Sequence, residues 1–182
     1  MKTDLSKFNN SWYNPGNKIK ILLWYFFNAF VLQNKYNPSS KIKILVLRWF
    51  GAKIGEGVII KPSVSVKYPW KLTIGNYCWI GENVWIDNLD EVIIEDNVCI
   101  SQGALLLCGN HNYKKSTFDL IIGKIVLKEG VWIGAKAIVT QNVTCQSHSL
   151  LTVNSVASSG LEAYGIYKGN PAVKIKTRQI KT

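Results

Sequence analysis

The chain is short of histidine and of acid. Its two histidines, His111 and His148, are too few for a three-histidine zinc site, so no metal is expected. Eleven Asp and Glu stand against 22 Lys and Arg, a net charge of +11. An anionic partner follows: a nucleotide cofactor, an acidic glycan or a lipid headgroup. The basic residues form no block and match no nucleic-acid motif, which sets nucleic acid aside. The four cysteines, Cys78, Cys99, Cys108 and Cys145, have neither metal-ligand spacing nor a secretory context, so reduced thiols in a cytosolic protein are expected. No signal-peptide pattern is visible. The most apolar run, Ile19 to Leu32, is broken by Lys20 and Asn28 and falls short of the ~20 residues that cross a bilayer. Hydrophobic residues are plentiful, 47% of the 182, enough for one domain with its own core.

Residues 1–53 read as an arm followed by amphipathic helices. In the first helix Ile19, Leu22, Leu23, Phe26, Phe27, Phe30 and Val31 fall on one stripe, with Trp24 and Tyr25 off it. Asn37-Pro38-Ser39-Ser40 breaks that helix, and either serine can cap the next. The second helix gathers Ile42, Leu45, Val46 and Trp49 on one face, and Gly51 is placed to stop it.

From residue 54 to 162 the period changes to six. Aliphatic anchors recur at Ile54, Ile60 and Val66, then Ile74, Ile80 and Ile86, then Ile94, Ile100 and Leu106. They resume at Leu127, Ile133 and Val139, then Cys145, Leu151 and Ala157. A small or β-branched residue usually follows four positions later, as at Val58, Val84, Ala104 and Ala137. A fixed period of this length is the mark of a β-solenoid. Each hexapeptide gives one short strand and one turn, three make a triangular coil, and about five coils are expected. The register slips at Tyr68-Pro69-Trp70 and at Leu89 to Val92, read as corner insertions. One long loop, 109–126, is extruded between the repeats and opens on Gly109-Asn110-His111. Residues 163–182 form a basic tail.

The chain resembles the hexapeptide-repeat acyltransferases, and within them the colanic-acid (exopolysaccharide) O-acetyltransferases. The general marks are the repeats, Gly130-Val131-Trp132-Ile133-Gly134-Ala135 and Gly169-Asn170-Pro171-Ala172. The narrower likeness is carried by Leu47 to Gly55, Pro62-Ser63, Tyr68 to Leu72, Ile100-Ser101-Gln102 and Leu107 to His111. The resemblance implies a mainly β fold, a left-handed parallel β-helix, assembled as a homotrimer with active sites between subunits. It implies acetyl-CoA as donor and a hydroxyl of a sugar as acceptor, free or as a lipid-linked oligosaccharide. It puts the family's base on His111 and its coenzyme-groove positions on Trp132, Ala135, Val153, Ser158, Ser159 and Lys176. The galactoside and maltose members carry an acceptor-site asparagine where this chain has Gly81, so acceptor binding should differ from theirs.

Acetyl transfer from a thioester to an alcohol needs a base for the hydroxyl proton and a donor for the tetrahedral oxyanion. Neutral imidazole suits the first task, and the mouth of the extruded loop suits His111 to it. His148, between Cys145 and Leu151, falls at a corner and is expected to be exposed and incidental. The N–H of Gly134 or of Ala135 can serve the oxyanion. Lys174, Lys176 and Arg178 can pair with coenzyme phosphates or be a solvated tail. Asp87 and Asn88, at a corner one coil before His111, are acceptor-binding candidates or plain turn formers. Outward Trp79, Trp85 and Trp132 would need cover, in keeping with a trimer. The N-terminal helices can cap the open solenoid end. They can also rest on the inner face of a membrane, with Lys18, Lys20, Lys35, Lys41 and Lys43 toward anionic lipid. Two rivals remain: an acetyltransferase of a small amino sugar or xenobiotic, and a non-catalytic binding solenoid.

Overall fold

The computed structural model describes residues 2–181. Five complete coils and part of a sixth make the solenoid. The first coil has strands Lys53–Ile54, Ile59–Ile60 and Ser65–Val66; the second, Leu72–Ile74, Trp79–Ile80 and Trp85–Asp87. The third has Val92–Ile94, Cys99–Ile100 and Leu105–Leu107; the fourth, Ile125–Leu127, Trp132–Ile133 and Ile138–Thr140. The fifth has Thr144–Cys145, Leu150–Leu151 and Val156–Ala157. Equivalent strands of successive coils pair in parallel and build three flat faces, first, second and third in chain order. The sixth coil contributes a bridge from Leu161 to Cys145 and the strand Gly165–Gly169, against which Ala172–Thr177 folds back antiparallel.

The six-residue period works as the sequence implies. Each anchor from Ile54 to Ala157 is buried, and so is the residue four later wherever the repeat runs uninterrupted, down to Ser149 and Ser155 in the fifth coil. The third residue after an anchor turns the corner in the left-handed backbone region. Gly57, Gly103 and Gly130 do so freely, Asn83, Asn97, Asn142 and Asn154 tolerably, and Tyr77, Lys136, His148 and Tyr164 against their preference. Stacking is tight at the residue directly after an anchor too. A Cβ on Gly81 would lie 2.6 Å from Gln102 N, and one on Gly134 would lie 2.7 Å from Val153 N. Glycine at 81 is therefore imposed by the neighbouring coil, and an asparagine would not fit there without moving it.

The helices turn their polar-tipped side to the solenoid. Helix α1 spans Lys18–Phe27 and continues into a wide π turn at Asn28–Leu32, rather than running as one regular helix; α2 spans Ser40–Trp49. Asn17 and Ser39 cap them, and Gly51 takes φ +99° beyond the end of α2. Most of the apolar stripe of α1 faces outward, as do Ile42, Leu45 and Trp49 of α2, while off-stripe Trp24 is buried. The cause lies in the solenoid end, whose first coil has backbone groups with no preceding strand to bond. Arg48 donates to the Ile54 and Gly55 carbonyls. Ser40 both donates to and accepts from Ile60, and Lys43 Nζ bonds the Ile60 and Asn37 carbonyls. Trp24 Nε1 donates to Val66 O at 2.9 Å, and Asn28 accepts from Val66 N. One face of coil one after another is closed by a polar atom, so the helices turn their polar-tipped side inward. Lys43, expected to face lipid, is fully buried, and burial lowers its pKa.

The N-terminal arm runs up one edge of the solenoid, the corner between the third and first faces. Trp70 Nε1 donates to Pro15 O, Tyr13 Oη donates to Leu89 O, and Asp4 N donates to Ser116 O in the extruded loop.

Candidate active site

The extruded loop leaves the third coil at that same corner. Its base is a two-stranded antiparallel hairpin, Gly109–His111 against Leu120–Ile122. His111 is half-buried, its ring stacked on Phe118 at 4.4 Å and flanked by Phe8 of the arm at 5.7 Å. Its Nδ1 lies 2.9 Å from the Phe118 carbonyl. A carbonyl only accepts, so Nδ1 is the donor, and in the neutral tautomer the lone pair is on Nε2. Phe118 reaches this geometry at φ +52°, a strained conformation for a bulky residue. Asp119 steadies the turn through Thr117 and Lys115, and those bonds hold its carboxyl below the usual range. The sequence singled out His111 but not Phe118 or Phe8; neither belongs to a local pattern that would mark it.

Asp87 and Asn88 sit at the same corner, one coil earlier. Asn88 is fully buried, its amide spent on the Tyr68 backbone: Nδ2 donates to Tyr68 O and Oδ1 accepts from Tyr68 N. It pins the Tyr68–Trp70 insertion, and its amide is already paired there. Asp87 is also buried, with Lys67 Nζ 3.0 Å from Oδ1 in an ion pair that lacks hydrogen-bond alignment.

The proposed coenzyme residues divide between places. Trp132, Ala135 and Val153 line one groove of about 430 Å³ together with Ser101, Gln102 and Thr152, at the corner between the second and third faces. Trp132 is held there by its Nε1 donating to Ser101 Oγ at 2.9 Å. Gly134 N donates to Leu151 O, so it is not free for an oxyanion. Ala135 N has no acceptor among the described residues. Ser158 and Ser159 are exposed at the next corner, the one His111 leaves from, and do not line the groove. Lys176 lies in register with the groove along the second face: Trp132 pairs with Leu150, Leu150 with Ile166, and Ile166 with Lys176. Of the tail cations, Lys174 is held by Glu162 at 2.6 Å and Arg178 by the Gly130 and His148 carbonyls.

The remaining candidates are structural. His148 is half-buried rather than exposed, turned against Tyr164 at 4.9 Å in a corner stack above Gly130. The cysteines are free, and burial pushes the Cys108 and Cys145 thiols up to about 12.

A parallel solenoid of six-residue repeats, with one histidine-bearing loop and an edge groove, defines a class, and comparison with known proteins agrees. The chain belongs to the hexapeptide-repeat acetyltransferase family and is an acyltransferase. It is 35% identical over 176 residues to an Escherichia coli K12 protein provisionally named as the colanic acid biosynthesis acetyltransferase WcaF, covering 96% of this chain and 97% of that one. Solved structures share the fold. A hexapeptide-repeat acetyltransferase of Vibrio cholerae in complex with acetyl-CoA superposes with TM-score 0.77 at 18% identity, over 90% of this chain and 87% of that one. A maltose O-acetyltransferase of Clostridium difficile 630 gives 0.71 at 17%, over 90% and 86%. No protein-family model matches the chain.

Proposed function

We propose that the protein moves the acetyl group of acetyl-CoA to a hydroxyl of a sugar destined for exopolysaccharide, on the cytoplasmic side, with His111 as general base. The observation that carries this reading is the Phe118 carbonyl on His111 Nδ1. In the neutral ring that bond leaves the lone pair on Nε2, the state a general base requires. Nε2 takes the hydroxyl proton as the oxygen attacks the thioester carbon. The tetrahedral oxyanion that forms is met by a backbone N–H, for which Ala135 is the free candidate. Collapse breaks the C–S bond, and the imidazolium returns its proton to the departing thiolate. The pantetheine arm would follow the Trp132–Ala135–Val153 groove, with Lys176 beyond it toward the phosphates. Asp87 is the acceptor-side residue left to test.

The groove and the His111 loop occupy different corners of one triangular chain. Base and thioester therefore meet most directly when the groove of one copy faces the loop of the next, which favours a homotrimer with sites between subunits. The test is acetyl-CoA turnover against free and lipid-linked sugars, with amine acceptors in parallel to separate O- from N-transfer. His111→Ala should lower kcat by ~10²–10⁴ while leaving acetyl-CoA affinity nearly intact. The rising pH limb of the wild-type rate should vanish with the imidazole. A variant with wild-type turnover, or with the same limb at reduced rate, would place the proton elsewhere.

A further inference from the structure

The outer side of α1 and α2 is uncovered apolar surface. Leu22, Phe26 and Phe30 on the first segment and Ile42, Leu45 and Trp49 on the second are between 47% and 72% exposed. Both helices sit on coil one, and their inward atoms are committed to its backbone, so the apolar side faces away from the solenoid. Contiguous exposure of this kind marks an interaction surface. Its charge says what kind. Between Asp4 and Glu56 the chain has no acid at all, while Lys18, Lys35 and Lys41 are exposed around the helices. A second copy docked face to face would oppose these lysines to their own kind with no carboxylate between them. An anionic bilayer surface instead accepts apolar side chains below its headgroups and lysines at their level.

We infer that this end of the molecule docks on an anionic phospholipid bilayer, as a surface contact and not a span. No helix among the described residues is long and apolar enough to cross a membrane. The inference stands on the helices and does not depend on acetyl transfer.

Vesicle sedimentation with the full chain tests it. The wild type should pellet with phosphatidylcholine vesicles containing phosphatidylglycerol, less with phosphatidylcholine alone, and less as salt rises. Phe26→Glu with Trp49→Glu should reduce partitioning at least ~tenfold, since two charges replace buried apolar groups. Each of Lys18→Gln, Lys35→Gln and Lys41→Gln should cost about fivefold and flatten the salt dependence. Unchanged circular dichroism and acetyl-CoA binding in the variants would show that the fold is kept; all six exposed side chains point off the core. Wild type left in the supernatant with anionic vesicles would overturn the inference. So would variants that bind vesicles as the wild type does. Loss of oligomer mass by light scattering in Phe26→Glu/Trp49→Glu would overturn it as well, assigning the face to contact between copies.

Discussion

Asn88 separates a structural corner from an acceptor site, and Asn88→Ala tests which it is. The amide makes two hydrogen bonds to one residue, 2.6 Å to Tyr68 O and 3.0 Å to Tyr68 N. Tyr68 O keeps a second partner in Lys71 N, so its loss is partial. Tyr68 N has no other acceptor among the described residues, and it would be left unsatisfied. One lost bond at ~1 kcal/mol plus an orphaned N–H at ~2 kcal/mol puts the cost near 3 kcal/mol. For a chain of this length that is a fall of roughly 6–12 °C in Tm. We predict this loss in urea and thermal unfolding, with KM for any acceptor and for acetyl-CoA nearly unchanged in the folded fraction. A raised acceptor KM with an unshifted urea midpoint would refute the reasoning and return Asn88 to the site.

Lys176→Glu should weaken acetyl-CoA by roughly five- to tenfold and make its affinity less sensitive to salt, because an exposed charge contact is modest and screened; calorimetry showing unchanged affinity would remove Lys176 from the coenzyme path. Gly81→Ala should cost about 1–3 kcal/mol by wedging coil two from coil three, visible as a lower urea midpoint. An alanine tolerated without loss would mean the coils have slack, and would reopen Gly81 as a change tuned to the acceptor.

The repeat was legible because the narrow interior repeats its demand at every coil: one aliphatic anchor and one small partner. Ile94 with Val98 and Ile133 with Ala137 meet that demand directly. The orientation of the helices was not legible, for an equally physical reason. The stripe of Ile19, Leu22 and Phe26 is a sound amphipathic pattern, but a pattern cannot say which side meets the protein. At coil one the unbonded Ile54, Ile60 and Val66 backbones call for donors, and Arg48, Lys43 and Trp24 supply them. Satisfying buried polar groups competes on equal terms with covering apolar side chains, since each orphan costs about as much as burying one of them gains. Lys43 is the sharpest case: its charge counted toward a lipid-facing set in sequence, and its ammonium is spent inside.

The site shows the same limit in another form. His111 stands out in sequence as the opening of a long insertion, yet what fixes its ring is a carbonyl seven residues on and a phenyl ring from the arm. Asp87, Asn88 and His111 share one solenoid edge, and the arm joins Trp70, Leu89 and Ser116 along it. That edge ties the loop to the end of the molecule where α1 and α2 lie. The loop leaves the third coil, two coil steps above the first, or about 10 Å at the spacing of paired strands. If the apolar end rests on a bilayer, a sugar carried on a lipid headgroup stands within the height range of His111. A free sugar gains nothing from that geometry. Comparing turnover of the same sugar, free and lipid-linked, in wild type and in Phe26→Glu/Trp49→Glu therefore joins the two readings: the helix variant should lose rate on the vesicle-borne acceptor alone. Equal loss on both acceptors would mean that the helices act through the fold and not through the membrane.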